Sequence, residues 1–309
     1  MASDYRQPIE RALQFIAEHL NRPLTVAEVA KVAHLSEFHF HRIFSAVMSE
    51  PIGRYVSRKR LEVAALRLAY EPQRSIGEIA DSCGFSSLSN FSKAFSAYFG
   101  CSPSRLRNPD PSLPAAIGKL TRSYAKEFHP SDLYKLPQDV DPQVRAQELA
   151  KLSAAVRYHD CPGFPVACLA SPEGYDFEAL SKTWNEMIER AHQLGLSDGP
   201  VDAFGMAFDS PQLTAPQLCR YHACVPCPAE FNPPAPLFRS RIPAGRYAIF
   251  HYAGALDQVE EMYRSIYSVW LPQSSSTPGD FVAIDHYIHD EPRDGQVDFE
   301  IWIQIRPRA

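Results

Sequence analysis

At 309 residues, 45% apolar and 22% charged, the chain has room for two buried cores and the composition of an ordinary globular protein. No apolar run reaches the length of a membrane span and no basic-then-apolar leader opens the chain, so a cytoplasmic protein is expected; seven scattered cysteines suit reduced thiols. The net charge of −5 is uneven: residues 1–107 carry 14 Lys and Arg against 10 Asp and Glu, the rest 17 against 26, so a polyanionic partner suits only the first part.

Residues 5–20 place Ile9, Leu13, Ile16, Ala17 and Leu20 at helical spacing and predict an amphipathic helix. Then one pattern occurs twice, fifty residues apart. Its first copy is Thr25-Val26-Ala27-Glu28-Val29-Ala30, Leu35-Ser36, and Phe40-His41-Arg42-Ile43-Phe44. Its second is Ser75-Ile76-Gly77-Glu78-Ile79-Ala80, Gly84-Phe85-Ser86, and Phe91-Ser92-Lys93-Ala94-Phe95. In each, a Thr or Ser caps a short helix, a turn follows, and another Ser opens a second helix. This is the pattern of a helix-turn-helix, whose second helix enters a DNA major groove.

Between the copies, Ile52 to Tyr70 predicts one helix, with Pro51 at its start and Pro72 after its end. Arg54, Arg58, Lys59, Arg60 and Arg67 are expected on its outer side, as a solvated face or in contact with phosphate. One helix holding two readers apart would set them in successive grooves, about 34 Å apart.

Asn108-Pro109-Asp110-Pro111-Ser112-Leu113-Pro114 reads as a linker, and residues 141–151 look helical. Beyond about residue 153 the texture becomes strands and isolated helices. Strands are expected at Val166–Leu169, ahead of Phe208-Asp209-Ser210-Pro211, and around Arg220–Val225, with a helix from Phe177 to about Leu194. The later half repeats this order: a strand Tyr247–Tyr252, Gly254 before a helix to about Trp270, Phe281–Tyr287 leading to Asp290-Glu291-Pro292, and a last strand Phe299–Ile303. Two such units predict a duplicated α+β domain with a ligand cleft between them.

The repeated pattern and the closing Gly100-Cys101-Ser102-Pro103-Ser104-Arg105-Leu106-Arg107 resemble the AraC/XylS family of transcription regulators. Arg220-Tyr221, Tyr247 to Gly254, Trp270-Leu271-Pro272 and Phe299 to Ile305 resemble the GyrI-like small-molecule-binding domain. Together they imply a multidomain chain: an all-α double helix-turn-helix domain at 1–107, a connector at 108–152, and a duplicated α+β, GyrI-like effector domain at 153–309. Double-stranded DNA, a small-molecule effector and RNA polymerase are the implied partners, without a membrane, a cofactor or a metal.

On the first reading helix, Leu35, Phe40, Ile43 and Phe44 are assigned to the core, and Glu37, Phe38, His41 and Arg42 to the outer side. Arg42 suits guanine O6/N7. The resemblance sets Phe38 against DNA, at a thymine methyl; the alternative is packing on a neighbouring helix. On the second, Ser87, Leu88, Ser89, Asn90 and Lys93 face out, a short and weakly charged surface suited as much to phosphate or water-mediated contacts as to base readout.

In the C-terminal part, Glu300 and Trp302 share one face of an alternating strand, an acid and an indole suited to a lipophilic cation. The resemblance places an acid at this strand position in the ligand pocket. Glu300 is accordingly expected to be partly desolvated, short of a partner, and to titrate above the ordinary Glu value. Asp285 stands where the resemblance has a longer Glu. Tyr252, Tyr287, Trp184 and Trp270 are candidate walls, though indoles at such helical positions are more often core. Cys224-Val225-Pro226-Cys227, near Cys219 and His222, invites a zinc site, but a strand turns its side chains to alternating faces. No nucleophile-base motif is present, so a regulator that senses an aromatic or cationic molecule is expected. The alternatives are a detoxifying hydrolase fused to a DNA reader and a constitutive regulator with a protein-docking domain.

Overall fold

In a computed structural model, the structure describes residues 5–108, 142–197, 199, 201–210, 213–214, 218–255, 258–287 and 296–308. Pro109–Pro114 of the expected linker and Asp290-Glu291-Pro292 lie outside these residues. Two compact units divide the chain: Met1–Leu133 with Gln212–Leu218, and Tyr134–Pro211 with Cys219–Ala309.

In the first unit the described elements are helices α1 (Arg6–Glu18), α2 (Val26–Val32), α3 (Glu37–Met48), α4 (Ile52–Tyr70), α5 (Ile76–Ser82), α6 (Leu88–Phe99) and α7 (Pro103–Arg107). The punctuation of the repeated pattern has a physical counterpart at each helix start. Thr25 and Glu28 close a reciprocal capping box on α2, and Ser75 and Glu78 close the same box on α5. Ser36 and Ser87 accept from the backbone N–H three residues on, opening α3 and α6. Both connecting turns use a left-handed residue, His34 at φ 56° and Gly84 at φ 77°. Phe40 and Phe44 seal one core against Ile9, Ile16 and Tyr55, while Phe91, Phe95 and Phe99 meet in series, edge-on and then tilted, in the other.

Helix α4 corrects an expectation. Of its basic residues, Arg54 is exposed, but Arg58 is buried and paired with Glu50 at 2.6 Å and Glu62 at 2.9 Å. Arg60 donates to the Leu20 carbonyl at 2.9 Å and Arg67 to the Ser82 hydroxyl at 2.7 Å. Long basic stems carry their heads inward here, because helix ends supply carbonyls and carboxylates that need donors. Arg58 is therefore a core ion pair and holds no phosphate.

The second unit opens with α8 (Pro142–Ala155), β1 (Arg157–Cys161), β2 (Phe164–Ala170), α9 (Phe177–Gln193), β3 (Ala203–Ala207), β4 (Tyr221–Pro226) and β5 (Phe238–Ile242). It continues through β6 (Gly245–Ala255), α10 (Val259–Ser265), a buried π-helical turn (Ile266–Trp270), α11 (Leu271–Gln273), β7 (Ser276–Tyr287) and β8 (Gln296–Pro307). Neither β1 nor β5 is expected from sequence: β1 is largely exposed, and both lack a clean apolar alternation. Gly254 lies inside β6, where a turn before the helix is expected. The strands form one antiparallel sheet in the order β1-β6-β8-β7-β3-β4-β2-β5.

Its two faces carry separate cores. Under α9 lie Ala203, Ala223, Val225 and Cys227 with Met187 and Trp184. The other face gathers Cys161, Phe204, Cys224, Ile242, Tyr247 and Trp302 from strands across the whole width of the sheet. Cys224 and Cys227 thus belong to opposite faces and do not converge. Among the described residues no His, Cys, Asp and Glu group is placed to hold a metal.

Candidate functional site

On α3, Glu37, Phe38, His41 and Arg42 are all exposed, and Phe40, Ile43 and Phe44 are buried beneath them. Phe38 is 75% exposed, with the Arg42 guanidinium 5.9 Å from its ring centroid. On α6 and at its cap, Ser87, Leu88, Ser89, Asn90 and Lys93 are likewise exposed. The apolar surface there is less prominent, Leu88 being 49% exposed.

In the second unit the candidate residues separate onto the two faces of the sheet. Asp285 and Tyr287, two apart on β7, share a face, and Tyr287 packs with the core under α9. Asp285 pairs in register with Gly205 of β3 and Ile301 of β8, so it occupies the middle of the sheet. The Tyr263 hydroxyl, from α10, donates to Asp285 Oδ1 at 2.5 Å. Trp184 Nε1 donates to the Tyr221 hydroxyl at 3.2 Å, which lies 3.4 Å from the Tyr287 hydroxyl. Gly205 is required here, since a Cβ would overlap that Tyr221 hydroxyl. The Trp184 and Tyr287 rings meet edge-on at 5.0 Å, and Phe299 links Tyr287 to Tyr252. Trp270 packs against Phe250 in the core.

Burial governs the charges of this group. Asp285 is pushed up to about 7 by desolvation, which the Tyr263 hydrogen bond only partly offsets. Tyr221 and Tyr287 are also raised, by burial first and then by their charged or hydroxyl neighbours.

Glu300 and Trp302 lie on the other face, as partners in a packed network. Glu300 is opposite His286 in the β7–β8 register. It accepts from Trp302 Nε1 at 2.9 Å and from Arg157, and lies 3.3 Å from His286 Nδ1. His286 Nε2 is 2.6 Å from Asp202. Burial opposes the Glu300 charge, but the bonds from Trp302, Arg157 and His286 outweigh it and hold its carboxyl below the ordinary value. The expected upward shift of Glu300 is therefore overturned: the acid is partnered, and the raised carboxyl belongs to Asp285. Sequence reasoning missed Tyr221 and Tyr263 as members of the Asp285 group. Arg220-Tyr221 is visible as a family motif; nothing local marks Tyr263.

The matches to known proteins fall on the same two units. The GyrI-like small molecule binding domain covers residues 155–306, and a helix-turn-helix domain covers 29–109. Regulatory protein SoxS of Salmonella typhimurium is 33% identical over 104 residues, 34% of this chain and 96% of SoxS. LumQ of Photobacterium leiognathi, named a probable transcriptional regulator, is 41% identical over 91 residues; the match takes 29% of this chain and spans only 36% of LumQ. Among solved structures, the C-terminal domain of AraT, a response regulator from Geobacillus stearothermophilus, aligns at 26% identity and a TM-score of 0.33, covering 37% of this chain and 91% of that one. With a capped helix pair on each side of α4, a near full-length match to SoxS and a GyrI-like second unit, the chain belongs to the AraC/XylS family of transcription regulators and carries a GyrI-like small-molecule-binding domain.

Proposed function

We propose that the chain is a ligand-responsive regulator that reads double-stranded DNA through α3 and α6 and senses an aromatic or cationic molecule around Asp285. The observation that carries this reading is a buried carboxyl, raised to about 7, ringed by tyrosine hydroxyls on the helix-covered face of the sheet. A charge left in such surroundings is costly, and a cationic ligand recovers interaction that water does not supply. The sheet order supports a duplicated domain: β6-β8-β7 and β3-β4-β2 mirror one another across the β7–β3 junction, and Asp285 lies at that junction. Of the residues expected in the pocket, Asp285, Tyr287, Tyr252 and Trp184 share its face, while Glu300 and Trp302 serve the opposite one.

In the reader, two helix-turn-helix units on one chain allow a monomer to occupy a non-palindromic site. Arg42 is the base-reading candidate, with Glu37, Phe38 and His41 beside it; Ser87, Leu88, Ser89, Asn90 and Lys93 form the second contact surface. The division into 1–107, a 108–152 connector and 153–309 is part of this reading, with α8 (Pro142–Ala155) spanning the second boundary. RNA polymerase is a further expected partner. Relatives named as regulators favour binding over turnover.

The test has two arms. DNA selected from a random library should be bound specifically, and Arg42→Ala should cost about 1–3 kcal/mol on the selected site while leaving random DNA little changed. Equal loss on both would remove Arg42 from base reading. A compound panel screened by thermal shift on wild type and Asp285→Asn should give cationic hits that the variant loses and that are recovered unchanged after incubation. Hits indifferent to the substitution would overturn the Asp285 assignment.

A further inference from the structure

We propose that the Asp285 site selects a cation bearing an N–H, a protonated arylalkylamine, over a quaternary ammonium of the same size. This rests on the reading of Asp285 as the ligand's counter-ion.

The first ground is the bond that a ligand must replace. Asp285 Oδ1 already accepts a hydrogen, from the Tyr263 hydroxyl at 2.5 Å. Tyr263 sits on α10, a seven-residue helix with no buried residue, whereas Asp285 is rooted in the middle of the sheet. Asp285 is thus the fixed partner, and the Tyr263 hydroxyl is the one a ligand would displace. A ligand nitrogen that takes the place of that hydroxyl must donate a hydrogen in turn, or a buried carboxylate oxygen loses its donor. An alkylammonium meets this demand with a charge-assisted bond. A quaternary nitrogen has no hydrogen, and its methyl shell keeps it beyond hydrogen-bond distance.

The second ground is ring geometry. Recognition of quaternary ammonium uses the faces of aromatic rings. Here Trp184 and Tyr287 meet edge-on, at 68°, and the Tyr221 and Tyr287 hydroxyls approach within 3.4 Å, so hydroxyl tips rather than ring faces cluster by the acid. Hydroxyl oxygens accept from N–H and have little to offer a methyl group. The short Asp side chain adds to this, because it cannot reach outward to a charge held at a distance. The raised carboxyl fits the same picture: it remains partly protonated near neutrality until a cation arrives.

The experiment uses the full chain and a matched pair of probes, 4-phenylbutylammonium and its N,N,N-trimethyl counterpart, with calorimetry at pH 8. Wild type should bind the primary amine at least tenfold more tightly. Asp285→Asn should abolish that preference. Tyr263→Phe removes the internal donor and keeps the ring, so it should keep the preference and tighten the amine a few-fold. Equal affinity for the two probes in wild type and Tyr263→Phe, with both weakened in Asp285→Asn, would overturn the proposal while the counter-ion reading stands. Binding of either probe unaffected by Asp285→Asn, or of neutral phenylbutane in preference to both, would overturn the counter-ion reading and this proposal together.

Discussion

On the helix-covered face of the C-terminal sheet, Asp285 is buried with one hydroxyl donor, and its carboxyl rises to about 7. On the opposite face, Glu300 is also buried, yet Trp302, Arg157 and His286 hold its carboxyl below the ordinary value. The two acids stand on neighbouring strands, with similar burial and aromatic surroundings. What separates them is the set of donors within reach. A buried carboxylate with several donors keeps its charge, and one with a single hydroxyl donor is pushed toward its protonated form.

The largest effect tests what a buried carboxylate costs when its partner is removed, and the first unit offers the clearest case. Arg58 serves both Glu50 and Glu62, with all three side chains buried. Arg58→Met keeps much of the stem, takes from Glu50 its guanidinium partner, and takes one donor from Glu62, which keeps Lys59 at 3.2 Å. It should lower unfolding free energy by about 3–5 kcal/mol, read by denaturant titration of the full chain. A loss under 1 kcal/mol would mean that water reaches these acids in solution.

Next in size is Asp285 itself, with the opposite sign. A carboxyl raised in the folded protein favours its protonated form there. Stability from this group is therefore complete below the unfolded value, near 4, and declines as pH rises through about 7. Asp285→Asn removes the charge and keeps an acceptor for Tyr263. It should stabilise the ligand-free protein at pH 8 by on the order of 2–4 kcal/mol and change little at pH 4. A variant less stable than wild type at pH 8 would show that an unseen donor partners Asp285.

How far this was legible in the sequence follows from what each inference needs. The capped helix pairs of the reader depend on local signals, such as Thr25 with Glu28 and Ser75 with Glu78, and these read directly. The exposed set from Glu37 to Arg42 follows from helical period alone. The fate of Arg58, Arg60 and Arg67 does not, because their acceptors lie on other segments, Arg60 reaching back forty residues to Leu20. Strand alternation placed Glu300 beside Trp302 correctly. It gave no hint that Arg157, from an unexpected strand 143 residues earlier, would neutralise the acid. Asp285 was visible as a candidate, but Tyr263 reaches it only through the packing of α10 on the sheet.

Glu300→Gln is the mirror experiment to Asp285→Asn. The amide still accepts from Trp302, but Arg157 and His286 lose their anion. A lowered carboxyl contributes stability above the unfolded value near 4.5 and loses it as pH falls through its folded value. The substitution should therefore cost about 1–2 kcal/mol at pH 7, with the deficit shrinking toward pH 3, opposite in sign to Asp285→Asn at every pH where both act. Thermal unfolding of the two variants across pH 3–8 reads both signs in one series. Parallel curves would dissolve the distinction between the two faces.

The smallest effect isolates burial from geometry. Two histidine–aspartate pairs on this sheet have almost the same length: His286–Asp202 at 2.6 Å and His251–Asp298 at 2.7 Å. Their surroundings differ. The His286 side chain is 19% exposed, stacked 4.4 Å from Phe204, and bonded on its other nitrogen to Glu300, while its Asp202 partner is 62% exposed. The His251 and Asp298 side chains are 54% and 44% exposed. Burial alone opposes a charge on His286, but the bonds to Asp202 and Glu300 raise its pKa, so its contribution is complete at low pH and fades as pH rises through that value. At His251, where the histidine as well as the acid is exposed, water competes for the same hydrogen bond and salt screens the charges. His251→Gln should therefore shift stability by no more than about 0.5 kcal/mol at pH 6, and the shift should vanish in 0.5 M salt. His286→Gln, measured alongside at the same pH, should cost more and keep most of its cost in salt. If the two substitutions cost the same and respond alike to salt, distance and not burial sets the strength of these pairs.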